Sequence, residues 1–192
     1  FPSYIRRFKV FSDFLKRYIN MSSITYNSIE ELRQNPPQSD IYCTGSDQVW
    51  NSGWNEKIEY PYFLDFVSNG ARCFTYAASF GKSSLDEWEK QETHRLLEKY
   101  KYISVRESAG IKILNDLDIH NAIHVLDPTL LLDKHDWETL ISKKYSNKKY
   151  ILLYNINRNK ELDKYAKEFA KRKKLPIYYL SYNYHDIIKG GR

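Results

Sequence analysis

The spacing of apolar residues predicts a chain in which helices and strands alternate. From Tyr4 to Ile19 apolar residues recur every three or four positions, as an amphipathic helix requires. They are Ile5, Phe8, Phe11, Phe14, Leu15 and Tyr18. Ser28 is placed to cap a short helix that ends before Pro36 and Pro37. Beyond that point, short apolar runs alternate with helical spacings.

The apolar runs are typical of strands that are buried on both faces. We predict strands at 41–44, 73–78, 102–105, 122–126, 150–154 and 177–180. The segments between them include a long helix that Ser84 caps and that extends to Tyr100, a helix from Ser108, and a helix over 159–173. In the first of these we expect Leu85, Trp88, Leu96 and Tyr100 to face inward. Strands alternating with helices indicate an α/β fold with a mostly parallel sheet.

A polar stretch at 146–149 is the best candidate for a domain boundary. We therefore predict one domain over 1–145, incomplete at its start, and the beginning of a second domain over 146–192. The sequence begins with Phe1 rather than Met, which leaves room for a preceding segment.

Composition adds two hints about partners. Aromatic residues make up 16% of the chain, and its 17 tyrosines suit clefts that meet polar ligands such as sugars, although a general compositional bias explains them equally well. The net charge of +6 favours anionic partners without choosing among them. The densest basic cluster, Lys171 to Lys174, complements the dipole at a helix end. The alternative is a weak contact with an anionic membrane surface or a lipid-linked phosphate.

The two cysteines, Cys43 and Cys73, lie in predicted buried strands and match neither a disulfide framework nor a metal site. They indicate a reducing compartment. We find no signal peptide and no apolar run long enough to cross a bilayer, and we expect no metal and no cofactor.

Polar residues follow four of the predicted strands, where ligands bind in parallel α/β sheets. These residues are Gly45, Ser46, Asp47 and Gln48 after the first strand, Ser79 and Gly81 after the second, Arg106 and Glu107 after the third, and Asp127 after the fourth. If the strands are neighbours, these residues line one polar crevice.

Each of these residues also has a purely structural interpretation. Gly45 allows a tight turn or a close approach of a ligand, Ser46 and the following N–H groups suit an oxyanion, and Asp47 suits a base. The alternative is an ordinary turn in which Asp47 caps a helix. Arg106 requires an anion, either a ligand's phosphate or carboxylate or the nearby Glu107.

Other residue types give weaker signals. Asp127 precedes Pro128 and is best explained as a turn former. None of the five histidines forms a site by its sequence position, and His124 is best explained as a core residue. The chain contains no phosphate-binding glycine fingerprint and no nucleophile elbow.

Five ordered sequence blocks resemble the polysaccharide pyruvyl transferase family. They are Asp40–Asn51 (DIYCTGSDQVWN), Tyr62–Phe66 (YFLDF), Tyr76–Gly81 (YAASFG), Ser104–Ser108 (SVRES) and Val125–Leu132 (VLDPTLLL), with Trp137 after them. The resemblance implies two Rossmann-like domains in a GT-B-like arrangement. It also implies a bacterial, cytoplasmic enzyme, peripheral at the inner face of the membrane, that moves a pyruvyl group from phosphoenolpyruvate onto sugar hydroxyls.

The resemblance also implies roles for individual residues. Asp47 and Arg106 are the catalytic candidates, and the substrate-binding candidates are Gly45, Ser46, Gln48, Ser79 and Arg106. The partners it implies are phosphoenolpyruvate and a sugar or lipid-linked oligosaccharide, with no nucleic acid. A glycine-containing opening segment and the Arg/His segment of a second domain do not occur in this sequence, so we expect the piece alone to be inactive. The alternatives are a GT-B-like glycosyltransferase that uses a nucleotide sugar and a silent glycan-binding or assembly module.

Overall fold

A computed structural model describes residues 2–141, 145–156 and 158–180. Its contacts divide the chain into two compact units. The central unit is Ser22–Thr139, and the outer unit combines Phe1–Met21 with Leu140–Arg192. The predicted domain division at 145/146 remains a prediction.

Helices and short strands alternate along the chain, which confirms the α/β class. The helices are α1 Pro2–Tyr18, α2 Ile29–Gln34, α3 Ser52–Asn55, α4 Glu87–Leu97, α5 Ser108–Asp116, α6 Lys134–Glu138 and α7 Lys160–Lys173. The strands are β1 Ile41–Thr44, β2 Arg72–Thr75, β3 Ser104–Val105, β4 Ile123–His124, β5 Ile151–Tyr154 and β6 Ile177–Leu180. Single 3-10 turns occupy Tyr60–Phe63 and Pro128–Leu130.

The strands pair in parallel. In the central unit β1 pairs with β2 and β3 pairs with β4. Single parallel bridges between Phe74 and Tyr102 and between Ala78 and Val105 make β2 and β3 neighbours. The resulting order is β1-β2-β3-β4, and the carboxyl ends of all four strands lie at one edge.

An aromatic core lies beneath this edge. The Trp50 ring lies 5.3 Å from the Phe63 ring and 5.0 Å from the Phe80 ring, measured between centroids. Its Nε1–H donates to the Tyr62 carbonyl oxygen at 3.2 Å. Trp50 lies in the loop that connects β1 to α3, so the core anchors that loop.

Two helix starts show where local sequence signals succeed and fail. The Ser28 hydroxyl accepts a hydrogen bond from the Glu31 N–H at 3.1 Å, which confirms the predicted cap of α2. The predicted cap of the long helix, Ser84, was wrong. The N-cap is Asp86, whose backbone N–H donates to the Glu89 side chain at 2.9 Å, and the helix ends at Leu97 rather than at Tyr100.

The inward face of α4 is also partly different from the prediction. Leu85, Leu96 and Tyr100 are buried, but Trp88 is 60% exposed and the prediction that it faces inward was wrong. The buried face of α4 includes Glu89, the residue after Trp88. Consecutive residues of an α-helix point about 100° apart, so Trp88 faces away from the core.

Some predicted strands are shorter or more exposed than expected. β2 ends at Thr75 rather than Ala78, because Ala77 adopts a positive φ of 55° and leaves the extended conformation. β4 is exposed, so His124 is not a core residue, and one of its ring nitrogens lies 3.1 Å from the Arg106 carbonyl oxygen. Cys43 is exposed, whereas Cys73 is buried as predicted.

The outer unit contains the parallel pair β5–β6 and the helix α7. The Asn159 side chain caps α7 by accepting from the N–H groups of Glu161 and Leu162. Lys171, Arg172 and Lys173 occupy the last turn, where they complement the helix dipole. Among the described helices, none has the length and apolar character needed to cross a membrane.

Candidate functional site

Three strand ends meet around Arg106. Its guanidinium Nη2 lies 3.2 Å from Asp47 Oδ1, after β1, and its Nη1 lies 3.1 Å from Asp127 Oδ2, after β4. Ser46 joins the cluster, because its hydroxyl donates to Asp127 Oδ2 at 3.1 Å. The parallel order of the strands thus brings four polar side chains from three distant segments of the sequence into one cluster.

Asp47 is held in a backbone conformation that is rare for residues other than glycine. Its φ is 91°, and it forms an isolated bridge with Ala78. Such a conformation costs on the order of 1–3 kcal/mol and is found preferentially at functional sites. Asp47 Oδ1 also accepts the Gln48 N–H at 2.8 Å, whereas Oδ2 has no hydrogen-bond partner within the described part of the chain. The side chain is 82% exposed, so one carboxylate oxygen is fixed and the other is available.

Carboxylates outnumber the guanidinium at this site. Besides Asp47 and Asp127, Glu107 lies 3.9 Å from Arg106 Nε. The expected alternative partner, Glu107, is thus the most distant of the three, and its Oε1 accepts the Phe80 N–H at 3.0 Å instead. With three acidic groups around one basic group, the local charge is negative in this arrangement.

Sequence reasoning undervalued Asp127. The turn interpretation is correct, because Asp127 Oδ1 accepts from the N–H and the hydroxyl of Thr129 at 3.0 and 2.7 Å. The other oxygen faces Arg106 and Ser46. The Thr129 N–H and hydroxyl, followed by Arg106 and Ser46, lower the pKa of Asp127 to about 2. Only the position of β4 beside β3 reveals this second role.

The depressed pKa of Asp127 predicts a pH dependence of stability. Its ionised form stabilises the fold above the ordinary pKa of 3.8, and this contribution is lost as the pH falls toward about 2. We expect Asp127→Asn to lower stability at neutral pH and to flatten the loss of stability between those two values. Urea denaturation of the chain at several pH values measures both effects.

Asp118→Asn is the matched control, because the Asp118 side chain is 96% exposed. This variant should keep the pH dependence of the original chain. An unchanged acid slope in Asp127→Asn would contradict the role assigned to Asp127.

The loop after β1 is packed against the turn that follows β2. Gly81 has a φ of 59°, and a Cβ atom there would lie 2.4 Å from Gln48 Oε1 and 2.5 Å from Asn51 Nδ2. Gln48 Oε1 accepts from Asn51 Nδ2 at 2.6 Å. A larger residue at position 81 would therefore displace the Gln48 and Asn51 amides and adopt a strained backbone conformation, and the two segments are packed against each other.

The remaining predicted site residues occupy different surroundings. Ser79 is 2% exposed, and its hydroxyl accepts the Gly81 N–H at 3.1 Å, so it holds the turn in this conformation. Gly45 lies beside open space, since a Cβ there would meet nothing within 4 Å. The left-handed residue of the loop is Asp47, two positions after Gly45.

A pocket of about 380 Å³ opens beside Asp47. It is lined by Asp47, Gln48, Val49, Trp54, Asn55 and Tyr62. Sequence reasoning did not identify Trp54 or Tyr62 as site residues. Their only signals are the high aromatic content and their positions within or just after the two motif blocks that begin at Asp40 and Tyr62.

The fold and the site define an α/β protein with a charged crevice at the carboxyl ends of parallel strands, the usual position of ligand sites in this class. A model of the polysaccharide pyruvyl transferase family matches residues 1–190. The chain belongs to this family of transferases, and the match extends well beyond the five motif blocks. No curated protein and no solved structure matches the chain.

Proposed function

We propose that this protein transfers a pyruvyl group from phosphoenolpyruvate to two hydroxyls of a sugar in a surface polysaccharide or its lipid-linked precursor. The observation that supports this is the convergence of Asp47, Arg106 and Ser46 at adjacent strand ends in a chain of this family. The proposal includes a Rossmann-like fold for the central unit and a GT-B-like arrangement of the whole enzyme.

The chemistry requires both an acid and a base. The methylene carbon of the donor gains a proton and its double bond to the ketal carbon becomes a single bond. The ketal carbon forms two bonds to sugar oxygens, and its bond to the phosphate oxygen breaks. The two hydroxyls lose two protons, one of which balances the proton added to carbon while the other leaves with phosphate. Groups that accept a hydroxyl proton and that stabilise anionic oxygens are therefore needed together.

Asp47 is proposed as the group that accepts the proton of the attacking hydroxyl. Its Oδ1 is fixed by Arg106 and by the Gln48 N–H, and its exposed Oδ2 can contact a ligand. A carboxylate held by one oxygen keeps its second oxygen in a defined position. That geometry is what a general base needs.

Arg106 is proposed to bind the carboxylate or phosphate of the donor. Because Asp47 and Asp127 neutralise Arg106, the donor must replace one of them, and the more exposed Asp47 is the partner easier to displace. After that displacement the Gln48 N–H still holds Asp47 Oδ1. Ser46, Gln48 and the open space beside Gly45 complete the proposed donor site, and Ser79 supports it through the turn at Gly81.

Two variants test these roles in the full-length protein. Arg106→Ala should raise the KM for phosphoenolpyruvate at least tenfold, since a charge-assisted contact contributes about 1.5–3 kcal/mol. Asp47→Asn should lower kcat strongly while tightening donor binding, because it removes the negative competitor for Arg106. Phosphate release and donor titration measure these quantities.

Arg95→Ala is the control, because Arg95 is paired with Glu92 and Asp65 outside the site. An unchanged KM in Arg106→Ala would contradict donor binding by this residue. Stabilisation by nucleotide sugars but not by phosphoenolpyruvate would favour a glycosyltransferase instead. Sugar binding without turnover of any donor would favour a silent module.

The proposed location is the cytoplasm, at the inner face of the membrane. The basic last turn of α7, with Lys171, Arg172 and Lys173, would contact anionic lipid or the phosphates of a lipid-linked acceptor.

A further inference from the structure

Two exposed aromatic side chains lie at the pocket beside Asp47. Trp54 is 82% exposed and Tyr62 is 49% exposed, although both are large rings that proteins usually bury at least in part. Both line the same pocket as Asp47. Two aromatic rings exposed at one concave surface, next to a reactive carboxylate, require an explanation beyond ordinary surface composition.

The backbones that carry these rings are firmly held. The Asn51 side chain accepts the Trp54 N–H at 3.1 Å. The Tyr62 carbonyl oxygen accepts from the Thr44 hydroxyl at 2.9 Å and from Trp50 Nε1–H at 3.2 Å. Because buried groups hold the backbone, the two rings project from rigid supports, as residues of a preformed binding site do.

The chemistry of the pocket lining fits an uncharged, hydroxyl-rich ring. Besides the two aromatic residues, its polar lining consists of the Asp47 carboxylate, which accepts hydrogen bonds from hydroxyls, and the amides of Gln48 and Asn55, which accept and donate them. Within the described part of the chain, no Lys or Arg lines it, so it lacks the cations that an anionic donor requires. Its volume of about 380 Å³ falls within the range of small-molecule sites.

We propose that the pocket formed by Trp54 and Tyr62 is the subsite for a pyranose ring of the acceptor saccharide. The C–H groups on one face of a pyranose stack on an aromatic ring, while the hydroxyls at its edge reach Asp47, Gln48 and Asn55. Since Asp47 borders both this pocket and the Arg106 cluster, a sugar seated here presents a hydroxyl to the proposed base. That the bound sugar accepts a pyruvyl group rests on the proposed function. That the pocket binds a sugar does not.

Direct binding is the first test. The full-length protein is titrated with lactose, maltose, cellobiose and chitobiose, and intrinsic tryptophan fluorescence is recorded. We expect a saturable change with at least one of these disaccharides and none with sorbitol, an open-chain polyol without a ring face. No saturable change with any of the four sugars would overturn the proposal.

Variants then locate the binding, which is measured by isothermal titration calorimetry because Trp54→Ala removes one of the fluorescent side chains. Trp54→Ala should weaken binding of the same disaccharide about tenfold or more, and Trp54→Phe should retain much of it, because stacking needs an aromatic face. Trp88→Ala is the matched control, since Trp88 is also exposed but lies on α4 and does not line the pocket. Equal binding by Trp54→Ala and the original protein would contradict the proposal, and Trp54→Ala should keep the thermal stability of the original.

Measurements of turnover distinguish a failure of this subsite assignment from a failure of the proposed reaction. If pyruvyl transfer occurs, Trp54→Ala should raise the acceptor KM and leave the KM for phosphoenolpyruvate unchanged. If transfer occurs and the acceptor KM of Trp54→Ala equals that of the original protein, the subsite is wrong but the reaction is not. Loss of sugar binding in Trp54→Ala, with no transfer by the original protein, would support the subsite and overturn the reaction.

Discussion

Replacing Lys82 with methionine is expected to lower the free energy of unfolding by about 3 kcal/mol. Lys82 Nζ donates to the carboxylate of Glu89, which is 1% exposed, and to Asp86 at 2.9 Å. Burial lowers the pKa of Lys82, but the hydrogen bonds to Glu89 and Asp86 outweigh it and raise the pKa overall. Without Lys82, the Glu89 carboxylate remains buried without its cationic partner, which is strongly unfavourable.

The substitution also affects the site, because Lys82 Nζ donates to the Ser52 hydroxyl at 3.0 Å. Ser52 begins α3, which carries Trp54, and Lys82 directly follows Gly81 in the turn after β2. Lys82 thus connects α3 and the turn after β2 to Glu89 on the buried face of α4. Urea denaturation followed by circular dichroism measures the change in stability.

Lys90→Met provides a matched control on the same helix. Lys90 pairs with Glu87, whose side chain is 88% exposed, so its loss should change stability by no more than about 0.5 kcal/mol. Adding Glu89→Gln to Lys82→Met should recover part of the loss, because the unpaired buried charge is then removed. Equal stabilities of Lys82→Met and Lys90→Met would refute the buried ion pair.

Replacing Trp50 with alanine is expected to destabilise the protein by about 3–5 kcal/mol. Trp50 is 3% exposed and packs against Phe63, Phe80 and Tyr100. The substitution leaves a large cavity directly below the loop that carries Asp47. We therefore expect loss of sugar binding and of donor turnover at temperatures where the fold still persists.

Trp88→Ala removes the same side chain from the protein surface. Since Trp88 is 60% exposed, its removal should cost less than about 1 kcal/mol. Circular dichroism is the appropriate probe, because both variants alter tryptophan fluorescence. A loss of similar size in the two variants would show that Trp50 does not anchor the core.

The sequence predicts which strand ends form the site better than it predicts the contacts between their side chains. Short apolar runs located β1 and β6 at their observed bounds, and the rule for parallel sheets indicated that Asp47 and Arg106 lie near each other. Both strands are rich in the β-branched and aromatic residues that favour strands, although β6 is largely exposed and β1 only partly buried, contrary to the predicted burial.

The remaining features depend on tertiary structure. The cap of α4 is Asp86 rather than Ser84, because the Glu89 carboxylate that completes it is buried against Lys82. The pairing of Asp127 with Arg106 depends on β4 lying beside β3, which no local pattern encodes. The positive φ of Asp47 is likewise not encoded locally, since aspartate tolerates this conformation better than most residues but adopts it in only a minority of cases.

The close contact at Gly81 has a consequence for how the site responds to a ligand. The Trp50 N–H also donates to the Ser79 carbonyl oxygen at 3.1 Å, so backbone and side-chain contacts both link the two loops. We therefore expect the two loops to move together. A ligand that orders either loop restricts both, so the conformational entropy lost on binding is that of one connected element rather than two.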